Sequence, residues 1–314
     1  MPSASTKPEC LQALLKLKRG LAFKSELLSV LRSFFRQNGF LEVETPLIVN
    51  APAPEEYIEA FSVANSFLRT SPELQMKSLM AAGFDRIYQI GPCLREGETG
   101  RIHRPEFTML EWYQTGTDYN GIMDFTREMI CTAARLLLKS SKSEFRGATI
   151  DFSGEWQSIT VRDTFFSYAS MGPEEAIEKN IFEELLVEKV EPALPKSVPC
   201  FMKDYPAAFS ALAKLKDTDK SLAERWELYI GGVEIANAYS ELNDPPEQRD
   251  RFVKASLERE RKGMKKYPSP SAFLKAVDYG IPNAAGCALG IDRLAMVMSG
   301  ASDLSEIVFP LDTN

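Results

Sequence analysis

Gly231-Gly232, set between two runs of alternating apolar residues, constrains the fold of this chain more than any other feature. A two-residue glycine turn joins antiparallel strands in a fixed register, so Ile230 pairs with Val233 and Tyr229 with Glu234. Side chains alternate along a strand. Trp226, Leu228, Ile230, Val233 and Ile235 therefore share one face, and Glu227 and Glu234 share the other. The two carboxylates become diagonal neighbours, roughly 5–8 Å apart. Acids that close repel unless a cation lies between them, and hard oxygen donors suit Mg²⁺; two solvated acids on an exposed strand fit the same pattern. Uniform alternation would put Glu241 on the apolar face, away from Glu234. A single β-bulge near Ala236 would return Asn237, Tyr239 and Glu241 to the Glu234 face, and that bulge is expected.

A second strand, Glu106 to Tyr113, places Phe107, Met109, Glu111 and Tyr113 on one face. Phe107 offers a ring for stacking, and Glu111 with Tyr113 offers an anion and a hydroxyl to an ammonium group. A half-buried strand with polar neighbours is the plain alternative. This strand and Arg86–Ile90 flank a long charged loop that carries Arg95 and His103, the one histidine of the chain. A lone loop histidine is usually just solvated. Arg293 follows Gly290 at the start of a strand-to-helix unit, Cys287 to Met298, where it can set a fixed positive charge at a phosphate; most exposed helix arginines do not.

The remaining punctuation gives a coarse organisation. Lys24 to Asn38 carries Leu27, Leu28, Leu31, Phe34 and Phe35 at the spacing of one helix face, stopped by Gly39. Phe40 to Pro46 reads as a strand closed by proline, and Pro52 and Pro54 mark a loop. At Thr70-Ser71-Pro72-Glu73 a helix opens, with Ser71 able to cap and Glu73 favoured at the positive end. Residues 1–20 read as an N-terminal extension, partly disordered, and 21–314 as a single unit within which 116–225 is mostly helical and connecting. A charged helix is expected from Glu247 to Lys265.

At 314 residues, 44% of them hydrophobic, the chain can bury an ordinary globular core. No apolar run approaches the ~20 residues of a membrane span. The five scattered cysteines form no Cys-x-x-Cys pair, which gives no support for a disulfide framework or a zinc site and fits reduced thiols in a cytoplasm. A net charge of −7 gives none of the basic footprint that phosphate-binding surfaces carry. The one basic cluster, Lys16, Lys18, Arg19 and Lys24, is explained as well by a solvated helix face.

Taken together, Leu94 to Phe107 and Gly286-Cys287-Ala288-Leu289-Gly290-Ile291-Asp292-Arg293 resemble the ATP-binding motifs 2 and 3 of class II aminoacyl-tRNA synthetases, and the helix, strand and Pro46 resemble motif 1, the dimer element. Thr70 to Glu73, Pro105 to Glu111, Lys203-Asp204-Tyr205-Pro206, Gly232 to Asn237 and Glu241 to Asp244 narrow the resemblance to the lysyl branch, from about Leu27 to the C-terminus. The resemblance implies an α+β fold, an antiparallel β-sheet flanked by helices, and a homodimer. It implies that Arg95 bridges the α-phosphate of ATP and the substrate carboxylate, that Arg293 and His103 hold the outer phosphates, and that Phe107 stacks on adenine. Glu227 and Glu234 would hold Mg²⁺. Glu73 would bind the amino group near the carboxylate, Asn237 the carboxylate, and Glu241, Glu111 and Tyr113 the distal ammonium.

Two departures resemble the truncated paralogues that attach (R)-β-lysine to a lysine of elongation factor P. Only about 20 residues precede the catalytic domain, where lysyl-tRNA synthetases carry an oligonucleotide-binding barrel. Ala288 stands at a motif 3 glycine, so a methyl group enters the amino-acid pocket and disfavours α-lysine. A third departure is Arg95-Glu96-Gly97 in place of Arg-Asn-Glu, which leaves Glu98, one position later, to read adenine. The expectation is an ATP-dependent ligase that activates (R)-β-lysine or lysine as an adenylate and passes it to elongation factor P, with tRNA binding disfavoured. A minimal lysyl-tRNA synthetase-like aminoacylase and a non-catalytic amino-acid sensor are the rivals.

Overall fold

The structure, a computed structural model, describes residues 9–309. Its strands are β1 (Leu41–Glu42), β2 (Ile48–Val49), β3 (Ser62–Val63), β4 (Ser66–Leu68), β5 (Arg86–Leu94), β6 (Glu106–Thr115), β7 (Lys142–Phe145), β8 (Ala148–Asp151), β9 (Gln157–Thr160), β10 (Cys200–Pro206), β11 (Leu222–Ile230), β12 (Val233–Ser240) and β13 (Ala284–Gly290). Eight of them form one sheet in the order β1-β5-β6-β13-β12-β11-β10-β9. The pairs from β5 through β10 are antiparallel, as expected; β1 and β9 add a parallel strand at either edge. β2-β4-β3 make a small separate sheet and β7-β8 a hairpin.

One face of the main sheet carries the core. Helix α1 (Glu9–Gln37) lays Leu27, Leu31 and Phe35 on it, fully buried. Phe35 stacks on Tyr88 at 4.4 Å and meets Phe40 edge-on at 5.1 Å, so the helix is keyed to the sheet by aromatic contacts. Gly39 at φ 76 ends the helix, and the Phe40 amide donates back to the Phe35 carbonyl at 3.0 Å. A later helix, Tyr119–Leu137, and the motif 3 helix, Ile291–Ser299, complete this layer. Trp226, Leu228, Ile230, Val233 and Ile235, assigned to one face by alternation, all lie in that core. The opposite face carries the cavity described below, with α2 (Glu73–Ala81) and the helices Pro245–Arg261 and Ser271–Tyr279 around it.

Several expectations change. α1 begins at Glu9, so residues 9–20 are no extension but the first half of the helix, and Leu17 is buried; residues 1–8 lie outside the described residues. Nor is Lys24 on a solvated face: its ammonium reaches Asp292 at 2.6 Å and the Thr108 hydroxyl at 2.9 Å, while Lys18 and Arg19 are exposed. Asp292 also accepts the Thr108 amide at 2.8 Å, so one buried carboxylate joins α1, β6 and the motif 3 helix. The 116–225 segment, expected to be mostly helical and connecting, is helical over Tyr119–Leu137 and in short pieces between Val161 and Ala193, but it also contributes β7 to β10 and the start of β11. Its strands are short, and Cys200-Phe201-Met202 is a continuous apolar run whose period does not separate strand from helix. The strand expected over Phe40–Pro46 is only Leu41–Glu42, and the charged helix ends at Arg261 rather than Lys265. Among the described residues no helix is long and apolar enough to cross a membrane.

The bulge sits one step from its expected place. Leu228 pairs with Ala236 but Tyr229 with Glu234, so Ile235 is the extra residue on β12. Beyond it Glu227 faces Asn237 and Arg225 faces Tyr239.

Gly20 marks where α1 passes closest to the C-terminal segment. A Cβ there would stand 1.8 Å from the Glu306 carbonyl oxygen. Alanine normally favours a helix over glycine by about 1 kcal/mol; here overpacking against backbone, on the order of 1–3 kcal/mol, wins. Gly20→Ala should lower the urea midpoint, and an unchanged or raised midpoint would contradict this packing.

Candidate active site

The deep end of the site is a cluster of buried acids held by α2, β6, β12 and β13. Glu73 opens α2, its amide donating to the Ser71 hydroxyl at 3.0 Å, and the same hydroxyl donates to Glu111 Oε2 at 2.8 Å. Tyr113 donates to Glu111 Oε1 at 2.5 Å. One turn along from Glu73, Lys77 is 1% exposed and gives its ammonium to Glu73 Oε1 at 2.6 Å and to Glu241 Oε2. Tyr239 donates to Glu73, and its ring lies 5.1 Å from the Lys77 ammonium. Glu241 Oε1 is left without a hydrogen-bond partner. Gly286 makes room for this packing, since a Cβ there would come within 2.3 Å of the Tyr113 ring and 2.5 Å of Glu241 Oε1.

Three carboxylates against one ammonium leave the cluster short of positive charge. Burial pushes Glu111 up to about 7, with Glu73 adding to the rise. Burial also pushes Glu241 up to about 8, although Lys77 pulls the other way. A ligand bearing ammonium groups would relieve this, because an unpaired buried charge is costly.

From this cluster a cavity of about 730 Å³ opens outward, within the size range of small-ligand sites. Of the residues expected from the sequence, Glu73, Arg95, Glu111, Tyr113, Asn237 and Glu227 line it. Ala288 lines it too, paired on the sheet between Glu111 and Asn237, so its methyl group does border the pocket. Glu241 is not on the cavity wall but behind Lys77.

The remaining expected residues, Glu98, His103, Phe107, Glu234 and Arg293, do not line the cavity. The Arg95 guanidinium lies 5.2 Å from the Phe107 ring and 3.4 Å from Glu98, so Glu98 is engaged with Arg95. Arg293 donates to the Ile102 carbonyl at 3.1 Å and to Glu234 through the carbonyl at 3.0 Å and the carboxylate at 3.1 Å. His103 is half-buried; burial and the nearby Arg293 lower its pKa, so at neutral pH it offers a hydrogen bond rather than a charge. Glu227 accepts from Tyr205 at 2.6 Å, Tyr229 at 2.7 Å and Arg225 at 2.7 Å, and burial raises its pKa. Among the described residues no three acidic, histidine or cysteine side chains are grouped as a metal site. Two carboxylates alone nevertheless suit Mg²⁺, which commonly binds one or two protein acids and completes its shell with substrate phosphates and water.

Sequence reasoning missed four residues here. Arg225 links Asn237, at 3.2 Å, to Glu227; its place two residues before Glu227 on one strand face was the available signal. Lys77 stands four residues after Glu73 on a helix, the spacing of an ion pair. Glu191, whose carboxyl accepts from Tyr229 at 3.0 Å, and Glu55, on the cavity wall, come from segments with no periodic signal.

A family model described as tRNA synthetases class II (D, K and N) matches residues 12–313. A lysine–tRNA ligase of Pelotomaculum thermopropionicum is 34% identical over 94% of this chain and 64% of its own length. Another, from Dehalococcoides mccartyi, is 36% identical over 91% of this chain and 63% of its own. The chain thus spans a little under two thirds of these relatives. An elongation factor P–(R)-β-lysine ligase of Proteus mirabilis is 34% identical over 92% of this chain and 94% of its own length.

The raised acids set a pH dependence. Glu111 at about 7 and Glu241 at about 8 bind protons more tightly folded than unfolded, where a glutamate titrates near 4.3. The ligand-free protein should therefore lose stability as pH rises from about 4.5 through 8. Lysine, supplying the missing positive charge, should flatten that slope. Melting curves between about pH 6 and 9 test it, and a ligand-free Tm that does not fall with pH would mean both acids are already ionised at the acid end.

Proposed function

Because the chain belongs to the class II tRNA synthetase family of the D, K and N type, we propose that it is an ATP-dependent, AMP-forming ligase that activates (R)-β-lysine or lysine and transfers it to a lysine of elongation factor P. The observation that carries the substrate class is the buried cluster of Glu73, Glu111 and Glu241, the first two on the wall of a cavity that Arg95 also lines. A diamino acid brings two ammonium groups and one carboxylate, and the cavity offers acids and an arginine to match. The acceptor is proposed from the elongation factor P–(R)-β-lysine ligases that this chain matches over 94% of their length.

The roles follow from charge and placement. Arg95 neutralises the α-phosphate and the attacking carboxylate, Arg293 the outer phosphates, with His103 donating a hydrogen bond beside it. Phe107 gives adenine a stacking face, and Glu98, one position after the Gly97 that replaces the usual motif 2 acid, reads the adenine amino group. Glu227 and Glu234 would hold Mg²⁺, which would supply further neutralisation of phosphate charge. Asn237, steadied by Arg225, meets the substrate carboxylate. Glu73 receives the amino group next to it, and Glu111 with Tyr113 the distal ammonium. Glu241 acts on that ammonium's field from behind Lys77. Little proton transfer is needed for activation, since a carboxylate attacks phosphorus directly; the enzyme's contribution is positioning and charge stabilisation.

Aminoacylation of tRNA is the second reading, favoured by the similar identity to lysine–tRNA ligases. ATP–pyrophosphate exchange with (R)-β-lysine and α-lysine, followed by transfer to elongation factor P or to bulk tRNA, separates the two. Label on the protein is expected; label on tRNA would reverse the assignment, and no exchange would leave a sensor.

Glu234→Ala or Arg293→Ala should reduce exchange on the order of a hundredfold or more with the melting transition retained. Near-normal exchange in either would remove the residue from the site. Ala288→Gly should raise use of α-lysine relative to (R)-β-lysine, and an unchanged ratio would show that the methyl group plays no part in selection.

A further inference from the structure

Glu55 has no part in the roles above, yet its side chain lines the same cavity as Arg95, Glu73 and Arg225. Its position is built. Pro52 and Pro54 restrict the backbone before it, and the buried Arg259 donates to the Glu55 carbonyl at 2.5 Å and the Ile58 carbonyl at 2.7 Å. Arg259 is itself tied to the Lys265 carbonyl at 3.0 Å and to Glu59 at 3.2 Å. A backbone bridge from the Glu96 amide to the Glu59 carbonyl, 2.8 Å, joins this loop to the one that carries Arg95.

The acids already given roles are engaged. Glu73 holds Lys77 and Tyr239, Glu111 holds Ser71 and Tyr113, and Glu227 holds Arg225 and two tyrosines. Glu98 faces Arg95. Among the described residues the Glu55 carboxylate has no hydrogen-bond or ion-pair partner, although Arg95, Glu73, Arg225 and Glu98 all act on it through their charge.

Transfer to a protein lysine poses a problem that activation does not. The nucleophile arrives as an ammonium with no lone pair, and it must lose a proton within reach of the activated carboxyl. We propose that the Glu55 carboxylate, on the wall of the same cavity as Arg95, is the proton acceptor for the incoming amine in the transfer half-reaction. This inference rests on the ligase reading above. In the step, the ammonium gives one proton to Glu55. The free amine then attacks the acyl carbon, the C–N bond forms, and the C–O bond to AMP breaks with its electron pair leaving on AMP. The second nitrogen proton passes to solvent. Burial, partly offset by Arg95, holds Glu55 at about 7, which suits a base working near neutrality. Protonation below that value switches it off, so transfer falls as pH falls through about 7.

The test compares two nucleophiles on one adenylate. Wild type, Glu55→Gln and Glu55→Asp are loaded with ATP and lysine or (R)-β-lysine, then given either elongation factor P or hydroxylamine, which is neutral at pH 7 and needs no base. For Glu55→Gln, transfer to protein should fall on the order of a hundredfold and recover as pH rises toward the range where lysine is free amine. Hydroxamate formation should fall far less, and Glu55→Asp should restore part of the protein transfer. Equal loss with both nucleophiles would make Glu55 a substrate-binding group and overturn the proposal, as would undiminished transfer to protein. Wild-type enzyme that forms hydroxamate but labels no protein would sink the acceptor reading, and the need for this base with it. Wild type that forms no hydroxamate would fail earlier, at activation.

Discussion

One extra residue, Ile235, organises the functional face of this molecule. Without it, β12 would alternate regularly and carry Asn237, Tyr239 and Glu241 into the apolar core, where each would need a polar partner that the core does not offer. With it, Glu234 before the bulge and Asn237 and Tyr239 beyond it serve the same side of the sheet, while Val233 and Ile235 stay buried among Trp226 and Leu228. A one-residue change of register flips every subsequent side chain. Glu234, paired with Arg293, and Asn237, on the cavity wall, come to one side of the sheet through that single irregularity.

Electrostatics then decides what the cavity accepts. Burying Glu73, Glu111 and Glu241 together costs several kcal/mol per unpaired ion, and Lys77 compensates only part of it. The deficit explains why burial raises the pKa of two of these acids and why an ammonium-bearing ligand is the natural complement. A hydrophobic cluster of the same volume would be more stable and would bind nothing charged. The cluster is therefore a stability sacrifice concentrated at the closed end of the site, supported on the other face by a large aromatic and aliphatic core.

Distant segments are pinned to this frame by single buried charges. Asp292 draws Lys24 of α1 and the Thr108 amide of β6 onto the motif 3 helix. Arg259 binds carbonyls of the 55–58 and 265 segments, holding a loop of the cavity wall against a helix two hundred residues later in the chain. Breaking a buried charge of this kind by removing one partner costs about 3–5 kcal/mol, so both act as fasteners more than as surface ion pairs.

Much of the fold and part of the site were legible in the chain itself. The glycine pair set the Ile230–Val233 register, alternation sorted the two hairpin faces, and the need to return Glu241 to the site called for a bulge that lies one step from its expected place. Phe34, Phe35 and their neighbours marked the buried face of α1. The short strands between 142 and 206 escaped because their apolar runs lack a diagnostic period, and the first turns of α1 escaped because the Pro- and Ser-containing stretch just before them reads as a frayed terminus. By itself, then, the sequence determined the local geometry: turns, alternation, helix faces and the residue types at each motif. Tertiary structure alone decided which charges are buried and with whom. Lys77, Arg225, Arg259 and Glu55 look in sequence like any surface charge, because the environment that raises or pairs them is assembled from segments far apart in the chain, and electrostatic energy depends on that assembled surrounding rather than on neighbours in sequence.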